Sequence, residues 1–200
     1  MNNIPNLLLA AGASRRMGTP KQLLSWNGKT LIEHQIETLL KTDQEVYVVL
    51  GAHVECILPV LKPYPVQSII FDQWSLGMGN TIAFSVAYLI KKQRPMDGIL
   101  IALIDQPLVD TSHYNALQDA FQKEQQQLIV SVSDQGWEGV PALFDKYYFP
   151  ELLNLKGEQG AKKIIPSAKR EVIKRNAGPL LVDMDTPGVY TALYKKFNPQ

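Results

Sequence analysis

Short apolar runs alternate with longer segments of helical period along most of the chain, and this alternation limits the fold more than any other feature. Strand-like runs are Asn6–Ala10, Val46–Leu50, Ser68–Phe71, Ile99–Leu103 and Leu128–Val132. Between them, Leu31–Lys41, Val54–Leu61, Thr81–Lys92 and Ser112–Glu124 place apolar residues three and four apart, which lays one helix face against a core. Strand–helix–strand repetition of this kind gives βαβ units, a mostly parallel sheet and helices on both of its faces. The rhythm loosens after about residue 133. A hairpin or insertion is expected around Gly136, Gly139 and Pro141, and a short helix flanked by Gly157 and Gly160. A last strand is expected at Leu180–Asp183, and a terminal helix from Pro187 to about Lys195. With no repeat, low-complexity tract or linker, residues 1–200 are expected to form a single three-layer α/β domain of Rossmann-like type.

Charge and cysteine content narrow what such a domain can do. Twenty Lys and Arg stand against nineteen Asp and Glu, a formal net charge of +1, which argues against a nucleic-acid partner or an electrostatic membrane anchor. The run Leu7–Ala11 is too short for a signal-peptide core and leads straight to Arg15 and Arg16. Gly98–Ile104 falls far below the roughly 20 residues a membrane helix needs. A soluble, cytoplasmic protein is expected. Cys56 is the only cysteine, so no internal disulfide can form, and it is read as a small buried apolar residue.

Ligands of open parallel sheets bind beyond the carboxyl ends of the strands. The residues to weigh therefore follow each apolar run: Gly12–Lys21, Gly51–His53, Asp105-Gln106-Pro107 and Asp183–Pro187. In the first of these, Gly12 and Gly18 let several backbone N–H groups converge on one point, a concavity suited to phosphate oxygens. Arg16 supplies a planar fork for phosphate and Lys21 a mobile point charge. Neither the Walker spacing nor the G-x-G-x-x-G dinucleotide pattern is present, here or at Gly77-Met-Gly79-Asn-Thr-Ile82. Asp105 ends the run LIALI in front of this loop, where a carboxylate can hold Mg²⁺ through oxygen ligands; Asp110 and Thr111 are better placed to cap the helix that follows.

The stretch LAAGASRRMGTPKQL resembles the signature of the MobA-like nucleotidyltransferases, roughly L-A-[AG]-G-x-S-x-R-M-G-x-x-K. On that match Leu9, Ala10, Ala11, Gly12, Ser14, Arg16, Met17, Gly18 and Lys21 take the motif positions, and Arg15 a variable one. The resemblance implies the fold of the nucleotide-diphospho-sugar transferases. It also implies a nucleoside triphosphate held by this loop, attacked at the α-phosphorus with loss of pyrophosphate. DQPLV is similar to the family's aspartate motif in the form of its cytidylyltransferase branch. VDMDTPGVY is similar to its terminal D-x-D-T-P motif, which implies Asp185 as a second Mg²⁺ ligand beside Asp105, with Asp183 orienting its neighbour. WSLGMGNTIAFSV resembles the turn that faces base and ribose, with Gly79, Asn80 and Thr81 as contacts, although Asn80-Thr81-Ile82 stand where Ser-Ser-Leu is usual. EGVPALF and GEQGAKKII resemble segments near the second substrate, with Glu158 for the usual Asp and Val140 where His is common. The resemblance runs from about residue 6 to 194.

The reading this supports is a cytidylyltransferase: CTP and a phosphate-bearing acceptor, molybdopterin by resemblance, give a dinucleotide cofactor and pyrophosphate, with a molybdoenzyme as client. A terminal phosphate monoester has a second pKa of about 6, so it is already largely ionised and needs no general base. Catalysis then rests on Arg16, Lys21 and Asp105 with Mg²⁺. Alternatives are the guanylyltransferase branch, which carries Gly at the position of Ala11, a cytidylyltransferase for another phosphate such as methylerythritol phosphate, and a non-catalytic molybdopterin chaperone. His34, His53 and His113 share no metal-ligand spacing. His34 and His113 are expected in satisfied surface or boundary roles, and His53 is the one placed to face the cleft if any does. Trp74 and Trp137 are read as packing residues, a pterin pocket being the other option.

Overall fold

The computed structural model describes residues 2–92, 95–168, 170 and 172–198. In chain order the strands are β1 (Asn6–Leu9), β2 (Ser25–Trp26), β3 (Lys29–Thr30), β4 (Val46–Leu50), β5 (Gln67–Ile70), β6 (Gly98–Leu103), β7 (Leu128–Ser133), β8 (Glu138–Asp145) and β9 (Val172–Gly178). The helices are α1 (Leu31–Leu40), α2 (Val54–Leu61), α3 (Met78–Lys91), α4 (Thr111–Asp119), α5 (Phe149–Leu153) and α6 (Pro187–Phe197). Seven strands form one sheet in the order β5-β4-β1-β6-β8-β7-β9, and β2 and β3 form a separate small hairpin. Every neighbouring pair in the large sheet is parallel except the two made by β8, which runs against β6 and β7. The expected α/β class and mostly parallel sheet are present.

The strands sort their side chains by alternation. Leu8 and Ala10, Val46, Val48 and Leu50, and Leu100 and Ala102 face one core with the apolar stripes of α1, α2 and α4. Leu7 and Leu9, Tyr47 and Val49, and Ile99 and Ile101 face a second core under α3 and α5. Both faces are covered, which is why these strands read as continuous apolar runs. Helix starts follow their side chains. Thr30 and Glu33 form a capping box on α1, and Asp110 and Thr186 accept the N3 amides of α4 and α6.

Three expectations change. Leu180–Asp183 is no strand; the last strand is β9, one segment earlier. Its sequence VIKRNAG lacks an apolar alternation because β9 is an edge strand, mostly half-exposed along its length. Leu181 and Met184 of the following run are buried one at a time. The short helix near Gly157 is a 3-10 turn, Ala161–Ser167, that begins after Gly160. Cys56 is exposed on the outer side of α2, since Ile57 and Leu61 supply that helix's buried positions. Elsewhere α3 starts three residues before the expected Thr81, and α4 stops at Asp119, short of Glu124.

The first turn of α3 is fastened to the segment 156–160 by close backbone contact. Gly79 N–H donates to Gly157 O (2.8 Å), and Gly157 N–H donates to Asn80 Oδ1 (2.7 Å). A Cβ on Gly79 would lie 2.7 Å from Lys156 N and 2.8 Å from Gln159 O, both backbone atoms with no freedom to swing aside. Gly79→Ala is expected to cost about 1–3 kcal/mol in urea or thermal unfolding, the usual range for overpacking. A stability equal to wild type would mean that the segment can move away freely.

Candidate active site

The chain leaves β1 for β4 on one side and returns through α3 to β6 on the other, so a crevice opens at the carboxyl end of β1. Four segments meet there: the loop 10–20, the 3-10 turn Lys21–Leu23, Asp105 just beyond β6, and the extended run that enters α6. Trp74, Met78, Thr81 and Glu158 complete the lining, and the cavity, open to solvent, is about 410 Å³. That is within the several hundred Å³ usual for small-molecule sites.

The loop is pinned at both ends. Met17 is buried and its N–H donates to Ser14 O (2.9 Å). Ser14 adopts a left-handed conformation (φ +53°), and its Oγ accepts from Lys21 N–H (3.0 Å). The hydroxyl of Ser14 thus serves the loop itself. Leu9, Ala11, Gly12, Ser14, Arg16, Lys21, Asp105 and Asp185 all line the cavity. Ala10 lies behind it in the core, Gly18 sits in the outer bend (φ +71°), and Gly79 and Asn80 hold the 156–160 segment; of that last trio only Thr81 reaches the wall.

Charge is concentrated on one contact. The Lys21 side chain is only 10% exposed, and its Nζ lies 3.0 Å from Asp105 Oδ2 and 2.7 Å from Asp185 Oδ1. Arg16, 74% exposed, reaches Asp185 Oδ2 at 3.3 Å. A backbone bond from Met184 N–H to Asp105 O (2.8 Å) fixes the spacing of the two aspartates. Burial pulls Lys21 down, but the charges and hydrogen bonds of Asp105 and Asp185 outweigh it and its pKa is raised. Burial pushes Asp185 up, yet the Lys21 bond, with Lys21 and Arg16 charge, leaves it lowered. Asp183 is raised by desolvation, against the bond it accepts from Gln106 Nε2 (3.0 Å), and it does not line the cavity.

Among the described residues no three His, Cys, Asp or Glu side chains cluster as a metal site. Asp105 and Asp185 bring two carboxylates together on Lys21 at the cavity, with Glu158 elsewhere in its lining, and Asp105 Oδ1 is buried with no hydrogen-bond partner. Such a pair suits a divalent ion that draws its remaining ligands from phosphate and water. The histidines lie elsewhere. His34 bonds Pro107 O (3.1 Å), and His113, buried against expectation, bonds Ser131 Oγ (2.7 Å). His53 is exposed with Nε2 3.4 Å from Ala13 O. Trp137 packs at the core edge under Lys162, whereas Trp74 is both packing residue and cavity wall. Gln22 is the residue that sequence reasoning missed: fully buried, it also lines the cavity. Its one signal is a polar side chain between Lys21 and Leu23-Leu24, in a turn too short to show a period.

Lys21 stays charged past its ordinary 10.5, so its pairing is fully present below that value and is lost only as pH rises through the raised pKa. The contribution of Asp185 is present above 3.8 and is lost as pH falls through its lowered value. Lys21→Met leaves two carboxylates facing one another, and is expected to cost roughly 1–3 kcal/mol near neutral pH. The gap to wild type should close as pH falls below 3.8 in unfolding titrations. A gap unchanged down to strong acid would assign the loss to the lysine's methylenes.

A family model described as the MobA-like NTP transferase domain matches residues 6–172. The purine catabolism protein PucB of Bacillus subtilis is 30% identical over 201 residues, with 92% of each chain covered. The nicotine blue oxidoreductase of Paenarthrobacter nicotinovorans is 38% identical over 106 residues, 52% of this chain and half (50%) of that protein's length. A probable molybdenum cofactor guanylyltransferase of Bacillus cereus is 39% identical over 66 residues, 33% of each. Rv0371c of Mycobacterium tuberculosis superimposes with a TM-score of 0.84 at 24% identity, covering 96% of this chain and 97% of that one. A structure of Rv0371c in complex with manganese gives a TM-score of 0.78 at 21% identity over the full length of both chains.

Proposed function

The chain belongs to the MobA-like NTP transferase family and is a nucleotidyltransferase of that family; from this premise we propose that it transfers CMP from CTP to the terminal phosphate of a molybdopterin-type cofactor and releases pyrophosphate. One observation carries the reading: Lys21, Asp105 and Asp185 meet, at 3.0 and 2.7 Å, in a cavity that residues 12–16 also line. In this reading residues 1–200 act as one nucleotidyltransferase domain.

The residues divide the work by charge. Loop N–H groups and the Arg16 fork take the β- and γ-phosphate oxygens, and Lys21 neutralises charge as it develops on the departing pyrophosphate. Asp105 and Asp185 would hold Mg²⁺, which when bound supplies Lewis-acid stabilisation to the phosphoryl oxygens. The acceptor phosphate is already ionised, so the chain need only aim it. Glu158 also lines the cavity and, by the resemblance of its segment, is assigned to the acceptor. A solved relative bound to manganese supports a divalent ion in this fold.

Ala11 is the ground for choosing CTP. It lines the cavity at the end of β1 and is nearly buried. Its methyl group narrows the space where a base lies against the backbone, which favours a pyrimidine over a purine. One methyl group is worth about 1–3 kcal/mol of discrimination. A guanylyl reading is favoured instead by the name of the Bacillus cereus relative, whose match covers a third of the chain. Pyrophosphate release with each of the four nucleoside triphosphates, with and without molybdopterin, separates the two. CTP alone should give acceptor-dependent release; release with GTP alone would transfer the reading to the guanylyl branch.

Two variants extend the test. Asp105→Asn is expected to keep the fold but lose on the order of 10²-fold or more in turnover, as for a lost transition-state charge stabiliser. Near-normal turnover at saturating Mg²⁺ removes Asp105 from the mechanism. Ala11→Gly should admit GTP measurably while part of the CTP activity survives, and an unchanged ratio puts base selection elsewhere.

A further inference from the structure

The backbone of the phosphate-facing loop is polarised, and one side chain polarises it. Gln22 is fully buried. Its Nε2 donates to Ala10 O (2.8 Å) and to Gly12 O (3.0 Å), and its Oε1 accepts from Ser14 Oγ (3.4 Å). The intervening carbonyl, Ala11 O, accepts from Ala52 N–H (2.9 Å). Three successive carbonyls are thus drawn back onto protein donors. Among the described residues, the N–H groups of Gly12, Ala13, Ser14, Arg15 and Arg16 donate to no protein group.

A peptide unit has opposite poles, so holding its oxygen on one side commits its N–H to the other. A carbonyl rotated into the cavity would meet triphosphate oxygens with its negative end. A neutral amide is the side chain that can bridge two carbonyls while adding no charge beside Lys21. The acid of the same shape has no proton to give, and an apolar side chain of the same volume has neither donor. We infer that Gln22 is a positioning residue for the triphosphate: by holding Ala10 O and Gly12 O it sets the peptide units that carry the N–H groups of Ala11 and Ala13, while the Ala52 bond to Ala11 O sets that of Gly12, so that this stretch of the loop offers donors. The inference rests on the nucleotidyltransferase reading above and assigns the part of the site that grips the leaving pyrophosphate.

The test separates grip from folding. Gln22→Met has nearly the same volume and no donor. Its affinity for CTP and for inorganic tripolyphosphate, both by calorimetry, should fall at least tenfold, and the KM for CTP should rise in step with kcat changed less. Asn6→Ala serves as a control of comparable destabilisation, because Asn6 bonds Thr42 and Gln118 at the far end of β1. It should lower the melting temperature and leave both affinities within about twofold. If Gln22→Met does not fold, Gln22→Asn carries the same test: it keeps the amide but is one methylene short and can hold only one of the two carbonyls. A melting temperature that falls while tripolyphosphate binding holds would make Gln22 a structural staple and overturn the inference. Wild-type protein that binds neither CTP nor tripolyphosphate would overturn the nucleotidyltransferase reading as well.

Discussion

Strand β1 is paired in parallel on both sides, and the chain that leaves it must move away in one direction before returning in the other. No helix can cover the gap this creates at its carboxyl end. Every candidate group in the site is there because of that gap. The loop 10–20 leaves β1 into it, Asp105 leaves β6 beside it, and the run before α6 is drawn across by the Met184–Asp105 backbone bond. The site is a property of the strand order before it is a property of any side chain.

Electrostatics then decide what such a gap can hold. Lys21, Asp105 and Asp185 are mostly shielded from water and meet in one contact. The lysine tolerates burial because two carboxylates face it, and Asp185 stays ionised because of the lysine and Arg16. A site of this kind arrives already charged and already ordered, so little reorganisation is left for the moment of reaction.

The parts of this arrangement that were legible in the sequence are those governed by period or by a fixed motif. β1, β4 and β6 were readable because burial on both faces leaves an unbroken apolar run. The place of Arg16, Lys21 and Asp105 at the cavity was readable because each follows such a run within a dense motif, and that of Asp185 from its motif alone. What escaped depends on contacts between distant segments. β9 carries polar residues on an edge, where nothing forces alternation. Gly79 and Asn80 sit in a motif but contact segment 156–160, a pairing 77 residues apart for Asn80 that no local pattern encodes. Cys56 and His113 exchanged their expected environments, because the phase of a short helix against its sheet is settled by larger neighbours such as Ile57 and Tyr114.

The reversed direction of β8 has a consequence of another sort. Strands β1 and β6 present their ends to the crevice, while β8, running backwards, presents its beginning. The rim is therefore assembled from exits on one side and an entrance on the other, with Gln106 spanning them through Val140 O (3.3 Å). Exits are tied by backbone bonds that also set the sheet register. The entrance, residues 134–137, is a turn closed by its own bond from Gly136 N–H to Ser133 O and held to β9 by Asp134 N–H to Gly178 O, between two strands whose pairing absorbs an irregularity at Val130 and Ser131. The two halves of the rim thus rest on strands of opposite direction, joined through the Gln106 side chain. A sheet that mixes directions in this way can bring both kinds of strand end to one crevice.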